Sequence, residues 1–351
     1  MKLEITGRIV QNSHFYSRKC RFDEAKGKLD YYGKAITIPK HRILQFFEIS
    51  KNAPTQDIVS MAKYNALAIT TKYWKPGTNY LEEIIRAVEK RIGNGDCVAV
   101  SEKALSTALN NIVDESAFPA SSNAKFLSKV WMRLVWGYFL GVMCHFGQRL
   151  LQRIRDYPFE TGSRHKQVAL QYAGFLQALM FGSEGGIDGS NLPYSYVSLP
   201  LNNASALAEQ IRQHIQNRLG KKVTVIIVDT DKTYTFRNFH FTPRPKPLKG
   251  IQSQGGILAY TIGKMFKLRK RPTPLAVAGS KLETDEALKI ANIADRARGP
   301  GSGATVWDMA ARFKVAATGV SWEMLSKIKH KPIVIVRRAR ASGNPQKQSS
   351  R

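Results

Sequence analysis

"VTVIIVDT", residues 223–230, joins an uninterrupted apolar run of strand length to an acidic residue and a hydroxyl residue. A short continuous apolar run is typical of a strand buried inside a sheet. A carboxylate at the end of such a strand is held rigidly and points into solvent or a cleft, which suits a metal ligand. Asp229 and Thr230 are therefore candidate ligands for a metal ion.

Two amphipathic helices and a second apolar strand precede this run. The helix directly before it ends at Gly220, a residue favoured just past a helix end, and its apolar positions are Leu207, Ile211, Ile215 and Leu219. An earlier helix begins with the capping box of Asn79 and Glu82, and its apolar positions are Leu81, Ile84, Ile85, Val88 and Ile92. After the GNGD turn, residues 97–100 are predicted to form a buried strand. At its carboxyl end stand Ser101, Glu102 and Lys103.

A glycine-rich stretch, SEGGIDGSN at 183–191, carries acidic residues within a strongly basic chain. Glycines let backbone N–H groups approach a ligand closely. Asp188 can hold a cation, while Ser190 and Asn191 can add neutral hydrogen bonds. The stretch is either a phosphate and metal site or only a turn. Together with Asp229 and Thr230, Asp188 would suit Mg²⁺ or Mn²⁺ bound to nucleotide phosphates, although acidic turn residues usually cap a turn or face solvent.

The charge of the chain favours polyanionic partners. Its 351 residues carry 54 Lys and Arg against 26 Asp and Glu, a formal charge of +28. Such a field attracts nucleic acid, a membrane surface, a nucleotide or an acidic small molecule, and an unusually basic proteome is the neutral explanation. The three cysteines show no metal-binding or disulfide spacing and the N-terminus lacks the order of a signal peptide, so we expect a cytoplasmic protein.

Residues 112–180 are rich in aromatic and basic side chains and are predicted to form a helical insertion. Its most apolar part, 130–144, is too short to span a bilayer and is interrupted by Arg133. We expect a buried helix there, with a membrane-touching helix as the alternative. His165, expected to begin a helix, has no partner at metal-ligand spacing, so a structural or substrate-contacting role is favoured over zinc binding.

Two further stretches are better explained without chemistry. RGPGSGAT at 298–305 lacks the ending of a phosphate-binding P-loop and joins two helices, so it is interpreted as a linker. Residues 235–250 interleave aromatic and basic residues with prolines and are expected to form an irregular loop. That loop could stack bases, but solvated surface is favoured over a nucleic-acid site. The chain has no GxSxG, HExxH or GxGxxG motif.

The order of these segments resembles a known family. GGIDGSN, the leucine-rich VSLPL, an Ala/Ser-rich helix and an apolar strand ending in Asp-Thr are similar to the nucleotide-dependent glutamate ligases of coenzyme F-420 biosynthesis. The earlier segment KPGTN, helix, GDCVAVSEKALS resembles the same family. The resemblance covers about residues 65–110 and 183–337, and the order and spacing of the motifs carry it together.

The resemblance implies a cleft where GTP meets two divalent cations, Mg²⁺ or Mn²⁺. Asp188 and Asp229 would be the catalytic carboxylates. The metal ligands it implies are Asp188, Asp229, Thr230 and, from a poorly aligned region, Glu323. The nucleotide contacts it implies are Ser101, Glu102, Asn191 and the loop from Thr71 to Trp74, with Lys103 supplying positive charge.

Two departures from the family pattern affect specificity. Thr107 stands where the family has a lysine, and Leu109 and Asn110 replace its Glu-Gly pair. After Asp-Thr, the family continues Asn-Gly-Arg or Phe-Gly-Arg, whereas this chain has residues 231–233 as Asp-Lys-Thr. Metal binding therefore transfers better than nucleotide or substrate specificity.

The expected protein is an α+β homodimer of mainly antiparallel sheets with flanking helices. Residues 1–60 would be an N-terminal extension, 61–337 the ligase core and 338–351 a disordered basic tail. The expected reaction transfers the GTP γ-phosphate to an acceptor carboxylate and joins L-glutamate to it, with a coenzyme F-420 precursor as acceptor. A folate-type polyglutamylating ligase and a non-catalytic nucleic-acid-binding protein are the alternatives.

Overall fold

A computed structural model describes residues 64–182 and 184–339 in full, and the backbone of the strands at 2–11, 14–23, 28–31, 34–37 and 58–61. The chain divides into two compact units, Met1–Gln56 and Asp57–Arg351. The predicted disordered tail lies almost wholly outside the described residues, since the last strand includes Arg338 and the description ends one residue later.

The first unit contains an antiparallel four-stranded meander. Its strands are β1 (Lys2–Gln11), β2 (His14–Asp23), β3 (Lys28–Tyr31) and β4 (Lys34–Thr37), paired in that order. Each strand forms an antiparallel hydrogen-bonded pair with the next strand along the chain.

The second unit is built on a seven-stranded sheet. Its strands are β5 (Ile58–Met61), β6 (Tyr64–Thr71), β7 (Cys97–Ser101), β10 (Thr224–Phe236), β11 (Phe239–Phe241), β12 (Arg269–Ala278) and β13 (His330–Arg338). The order is β11-β10-β7-β13-β6-β5, and β12 also pairs with β10. All pairs are antiparallel except β7 with β10. The predicted α+β class with mainly antiparallel sheets is confirmed.

Helices cover both faces of this sheet. On one face lie α1 (Tyr80–Val88) and α8 (Ala204–Leu219), which pack on side chains such as Val225 and Ile227. On the other face lies α10 (Thr284–Arg298), against Ile226 and Val228. Alternate residues of β10 therefore enter two different cores, which explains the uninterrupted apolar run.

The predicted ends of the two helices before β7 and β10 are present. The Asn79 side chain accepts a hydrogen bond from the Glu82 N–H at 3.3 Å and caps α1. Gly220 ends α8 in the left-handed region at φ 65°, which a glycine adopts without steric cost.

One strand boundary was predicted wrongly. Asp229 does not end β10, which continues to Phe236 and turns into β11. The ladder with β12 instead shifts between Asp229 and Lys232, so Thr230 and Asp231 form a bulge. The expected irregular loop at 235–250 consequently begins as a β-hairpin. The alternation of aromatic and polar residues there belongs to these strands.

Residues 112–198 form a mainly helical region closed by a small antiparallel pair, β8 (Ile112–Asp114) with β9 (Tyr196–Ser198). Its helices are α3 (Ser122–Phe126), a π-helix (Leu127–Leu140), α4 (Gly141–Met143), α5 (Gln148–Arg155), α6 (Phe159–Tyr172) and α7 (Phe175–Ala178). His165 therefore lies within α6, and its expected position at a helix start is wrong. Side chains of this region form two cores of their own, around Trp136 and around Leu127.

The apolar stretch at 130–144 is buried on one side only. Met132 and Trp136 are buried, whereas Leu134, Tyr138 and Phe139 are each more than half exposed. The expected burial therefore holds for one side of this helix and not for the other. In the part of the chain that the structure describes, no helix is long and apolar enough to cross a membrane.

Four further helices lie between the strands of the second unit. They are α2 (Glu102–Ala108), α9 (Ile257–Met265), α11 (Val306–Phe313) and α12 (Trp322–Ser326), with short 3₁₀ turns at Glu115–Ala117 and Ala317–Gly319.

Candidate functional site

The parallel pairing of β7 and β10 places their chemical residues side by side. Ser101 lies opposite Val228 in the ladder, so Glu102 and Asp229 follow at the same edge of the sheet. Glu102 is the first residue of α2, and its Oε1 accepts a hydrogen bond from the Leu201 N–H at 2.8 Å. Both carboxylates are buried. Two acidic side chains from distant parts of the sequence thus meet at this edge.

Arg244 bridges these two carboxylates. Its Nε donates to Oδ2 of Asp229 at 2.7 Å, and its Nη2 donates to Oε1 of Glu102 at 2.5 Å. The guanidinium is almost completely buried, so its charge is balanced by the carboxylates and not by water. The backbone N–H of Asp231 donates to Asp229 Oδ1 at 3.2 Å, which fixes the bulge around the carboxylate. The Arg244 guanidinium therefore joins the start of α2, strand β10 and the segment after the β10–β11 hairpin.

The bridge alters proton affinity at the site. Burial and then the Asp229 charge raise the pKa of Glu102 to about 8, while Arg244 acts in the opposite direction. Burial disfavours the charged form of Arg244, but Glu102 and Asp229 outweigh it and raise its pKa further. Glu102 is consequently a carboxyl group able to hold or release a proton near neutral pH.

A second ionic contact lies one residue further along α2. The Lys103 ammonium forms an ion pair with Oδ2 of Asp188 and donates to the carbonyl and Oγ of Ser190 at 2.9 and 2.8 Å. The Ser190 N–H donates to Asp188 Oδ1 at 2.7 Å, which forms a tight turn around the carboxylate. Glu102 and Lys103 are neighbours in sequence, so the start of α2 connects the Asp229 cluster to the Asp188 cluster.

The glycines before Asp188 allow the two clusters to approach. Gly186 has φ 100°, and a Cβ at that position would lie 2.6 Å from Arg244 Nε. Any side chain there would therefore collide with the guanidinium that bridges Glu102 and Asp229. The glycine-rich stretch is thus needed for close packing against Arg244 as well as for its backbone conformation.

The side-chain amide of Asn191 contacts the loop that contains Ser302 and Gly303. Its Oδ1 accepts hydrogen bonds from the N–H and Oγ of Ser302 at 2.6 and 2.5 Å, and its Nδ2 donates to the carbonyl of Gly303 at 3.2 Å. The Tyr73 hydroxyl donates to the Asn191 carbonyl. The stretch interpreted as a linker, 298–305, is therefore held directly against the GGIDGSN turn.

A buried ionic network lies behind the same turn. His165 contacts Oε2 of Glu184 through Nε2 at 2.9 Å and Glu115 through Nδ1. Lys166 donates from its buried ammonium to Oε1 of Glu184 at 2.8 Å. Burial opposes the charge on His165, but the two glutamates raise its pKa well above the ordinary value. Burial likewise opposes the charge on Glu184, but Lys166 and His165 bring its pKa down to about 2.

Several predicted residues lie away from these clusters. Glu323 has a strongly exposed side chain on α12, ion-paired with Lys327 at 2.9 Å. Thr71 donates from its hydroxyl to the neighbouring Lys72 carbonyl. Trp74 is buried, with its ring centroid 6.0 Å from that of His330. Thr230 is half-buried at the bulge next to Asp229. Within the fully described part of the chain, the contacts bring Glu102, Lys103, Asp188 and Asp229 together but do not include Glu323.

The donor chemistry of the two aspartates suits a hard cation. Carboxylate and hydroxyl oxygens are the ligands that Mg²⁺ and Mn²⁺ prefer. However, among the described residues no group of three or more His, Cys, Asp or Glu is arranged to hold a metal, and Lys103 and Arg244 already neutralise Asp188 and Asp229. The Lys103 pair is partly exposed and the Arg244 pair is buried. Asp188 is therefore the position at which a divalent ion could most readily replace the protein's own cation.

Sequence reasoning did not identify Arg244, Glu184 or Lys166 as site residues. Arg244 lies in a Thr-Pro-Arg-Pro segment, where flanking prolines restrict the backbone, and this was the available signal. Glu184 lies in the glycine-rich stretch 183–191, but its partners His165 and Lys166 are distant in sequence. Lys166 gives no signal in the sequence, since a lysine within a helix is usually solvated.

Fold and site together define an α+β protein with a charged site where β7 ends beside the bulge of the parallel strand β10. Residues 68–254 match the F420-0:Gamma-glutamyl ligase family. An uncharacterized protein of Methanocaldococcus jannaschii is 33% identical over 285 residues, which cover 78% of this chain and 96% of that protein. The chain belongs to the F420-0:gamma-glutamyl ligase family, as its motifs predicted, and it therefore carries a ligase-type domain.

Proposed function

We propose that this protein is a GTP-dependent and metal-dependent ligase that joins L-glutamate through an amide bond to an acidic acceptor, such as a coenzyme F-420 precursor. The observation that carries the proposal is the Glu102–Arg244–Asp229 bridge joined through Lys103 to Asp188. All of these residues lie within the part of the chain that matches the ligase family.

The reaction needs two bond exchanges. An acceptor carboxylate oxygen attacks the γ-phosphorus of GTP, and GDP leaves with the electrons of the broken P–O bond. The glutamate amine then attacks the carbonyl carbon of the acyl phosphate, phosphate leaves, and the nitrogen loses a proton. Negative charge accumulates on the phosphoryl oxygens in the first exchange, so positioned cations favour it.

The chain supplies residues for each requirement. Asp188, Asp229 and Thr230 would hold Mg²⁺ or Mn²⁺, which supplies positive charge to the phosphates. Lys103, once released from Asp188, would lie close enough to pair with a phosphate oxygen. Glu102, whose pKa is raised to about 8 by burial and by Asp229, would accept the proton of the attacking amine in its ionised form, which becomes populated as pH approaches 8. Ser101, Asn191 and the segment from Thr71 to Trp74 would form the nucleotide side of the cleft.

The charge of the chain supports an acidic acceptor. A formal charge of +28 raises the local concentration of molecules that carry phosphate or glutamate groups, and salt weakens this effect. A folate-type polyglutamylated acceptor would be attracted in the same way. A homodimer and a cytoplasmic location are further parts of the proposal and rest on the family resemblance and on the cysteine pattern.

A non-catalytic nucleic-acid-binding role is the second candidate. It is favoured by the charge and by Thr107, which replaces a lysine of the family. The Thr107 hydroxyl donates to the Lys103 carbonyl at 2.8 Å and is buried. It therefore stabilises α2 and offers no charge to a nucleotide.

Calorimetric titration with GTP and with ATP, each with and without Mn²⁺, tests the proposal. We expect Mn²⁺-dependent nucleotide binding that is lost in Asp188→Asn and weakened in Asp229→Asn. Asp156→Asn is the matched control, because Asp156 is exposed at the end of α5. Glu323→Gln should bind nucleotide normally if Glu323 stays on the surface in the complex. A loss of Mn²⁺-dependent binding in this variant would mean that Glu323 is a metal ligand.

Product analysis completes the test. A mass increase of one glutamate residue on an F-420 precursor, requiring GTP and Mn²⁺, would establish the ligase. Tight, salt-sensitive RNA binding that Asp188→Asn leaves intact, together with no nucleotide binding at any Mn²⁺ concentration, would overturn it.

A further inference from the structure

Two segments of this chain lack acidic residues altogether. No Asp or Glu occurs between Glu115 and Asp156, or between Asp231 and Glu283. Lys and Arg recur throughout both segments. These segments form the π-helix with α4, and the β10–β11 hairpin with α9. Any surface that they build together is cationic by composition.

The same segments expose large apolar side chains. Leu258 and Ile262 of α9 and Phe266, which caps its C-terminal end, recur every four residues and are 61%, 43% and 65% exposed. This spacing puts them in one stripe on the helix. The opposite side of α9 is packed against the sheet, since a Cβ on Gly263 would overlap the ring of Tyr234. The stripe is therefore turned away from the core of the protein.

Two neighbouring elements extend this stripe. At the tip of the hairpin, Phe236 and Phe239 are more than half exposed, and the hairpin is the continuation of the strand on which α9 packs. On the other side, the ring of His145 contacts the Met265 carbonyl at 3.1 Å, which joins the end of α9 to the turn after α4. Val142 and Met143 of α4 are about half exposed. The exposed side chains of α9, the hairpin tip and α4 are called the apolar-basic face below.

Cations surround the apolar side chains. Arg237 lies over the ring of Phe236 at 5.6 Å. Burial first, and then the positive charges of Lys270 and Lys232, lower the pKa of Lys264, while Lys232 itself forms an ion pair with Asp295 of α10 at 3.4 Å. Lys267, Arg269 and Lys270 are exposed directly after α9. Exposed apolar side chains and exposed cations therefore lie next to each other on α9, on the residues that follow it and at the hairpin tip.

We propose that the apolar-basic face binds the surface of an anionic lipid bilayer. Exposed Leu, Ile and Phe would enter the boundary between headgroups and acyl chains, while Lys and Arg would contact anionic headgroups. Binding would be peripheral, in agreement with the lack of a spanning helix among the described residues.

Charge argues against the other occupants of this face. A second copy would bring one predominantly cationic surface against another, and like charges would oppose the contact. A nucleic acid would satisfy the cations, but Leu258, Ile262 and Met143 offer neither a stacking plane nor a hydrogen bond to a base. An anionic bilayer matches both the apolar side chains and the charge.

Vesicle flotation of the full chain tests this inference. One set of vesicles contains phosphatidylglycerol and phosphatidylcholine in equal parts, and the other contains phosphatidylcholine alone. We expect the wild-type protein to float with the anionic vesicles. Its affinity for the neutral vesicles should be at least about tenfold lower. The triple variant Leu258→Ser, Ile262→Ser, Phe266→Ser should lose about tenfold or more of the anionic binding, and added salt should weaken what remains.

A matched variant distinguishes binding by the apolar-basic face from nonspecific hydrophobic adsorption. Phe126→Ser removes a comparably exposed aromatic residue from α3 and should leave flotation unchanged. Lys267→Gln with Lys270→Gln should weaken anionic binding while the apolar stripe is intact. Because all these side chains are exposed, thermal unfolding of each variant should match the wild type.

Three results would overturn the proposal. The first is equal flotation of the wild type and the triple variant. The second is a dimer in sedimentation analysis that the triple variant converts to a monomer, with no vesicle binding, which would assign the face to a second copy. The third is RNA binding that the triple variant abolishes, again without vesicle binding. None of these measurements depends on ligase activity, so the outcome is independent of the proposed reaction.

Discussion

Nη2 of Arg244 lies 2.5 Å from Oε1 of Glu102, although 142 residues separate them in sequence. The same guanidinium donates to Asp229. The chain makes this contact by running through the β10–β11 hairpin and returning to the sheet edge at Arg244. The arginine that follows the hairpin thus joins Glu102, which comes directly after β7, to Asp229 within β10.

Removal of this arginine should destabilise the protein strongly. Arg244→Met leaves Glu102 and Asp229 buried without their cation, and breaking a buried ion pair in this way costs about 3–5 kcal/mol. Urea denaturation should measure a loss of that size. Arg237→Met is the control, because Arg237 is exposed on the hairpin and should change stability by less than about 0.5 kcal/mol. Adding Glu102→Gln to Arg244→Met should recover part of the loss, and no recovery would contradict the bridge.

Glu102 should make stability depend on pH. Its pKa rises from 4.5 to about 8 because of burial first and Asp229 second. Between these two values the folded protein holds a proton that the unfolded chain has released, so the free energy of unfolding should fall as pH rises from about 4.5 to about 8. Glu102→Gln should remove this part of the pH dependence. Glu160→Gln, at an exposed position, should leave the curve unchanged, and equal curves for the wild type and Glu102→Gln would refute the assignment.

The fold was predictable from the sequence where local pattern decides it. The apolar runs at 97–100 and 223–228, the cap at Asn79 and the stop at Gly220 all correspond to observed elements. The bulge after Asp229 was not predictable, because it depends on the register with β12. The position of Arg244 depends on the same hairpin.

The site was predictable only in part for a related reason. The motif order identified Asp188 and Asp229, but which cation neutralises each one is set by tertiary contacts between α2, the glycine-rich turn and the segment after the hairpin. His165 shows the same limit. The absence of metal-ligand spacing disfavoured zinc, while its two glutamate partners lie 50 residues before and 19 residues after it.

The network around His165 should hold the helical region against the glycine-rich turn. In His165→Leu, Glu115 and Glu184 lose the cation between them, and we expect a loss of about 3–5 kcal/mol. Glu160→Gln on the same helix is the exposed control. Burial raises the pKa of Glu184, but Lys166 and His165 together lower it to about 2. This glutamate therefore stabilises the fold above about pH 4.5, and the contribution disappears as pH falls towards 2.

The pH dependence distinguishes this network from simple packing. Without His165, the pKa of Glu184 should rise, so the variant should gain less stability than the wild type between pH 2 and neutral pH. Parallel stability curves over this interval would mean that His165 acts through packing alone.

Asn191 should hold the glycine-rich loop 299–303 even when no nucleotide is bound. Asn191 has φ 58°, so Asn191→Gly removes the amide group without backbone strain. Three hydrogen bonds to Ser302 and Gly303 are lost, and at about 1 kcal/mol each amide exchange of Ser302 should accelerate by tenfold or more. Exchange in α8 should stay unchanged. If exchange in the loop is unaffected and only GTP affinity falls, Asn191 contacts the nucleotide directly, as the family resemblance implies, and does not position the loop.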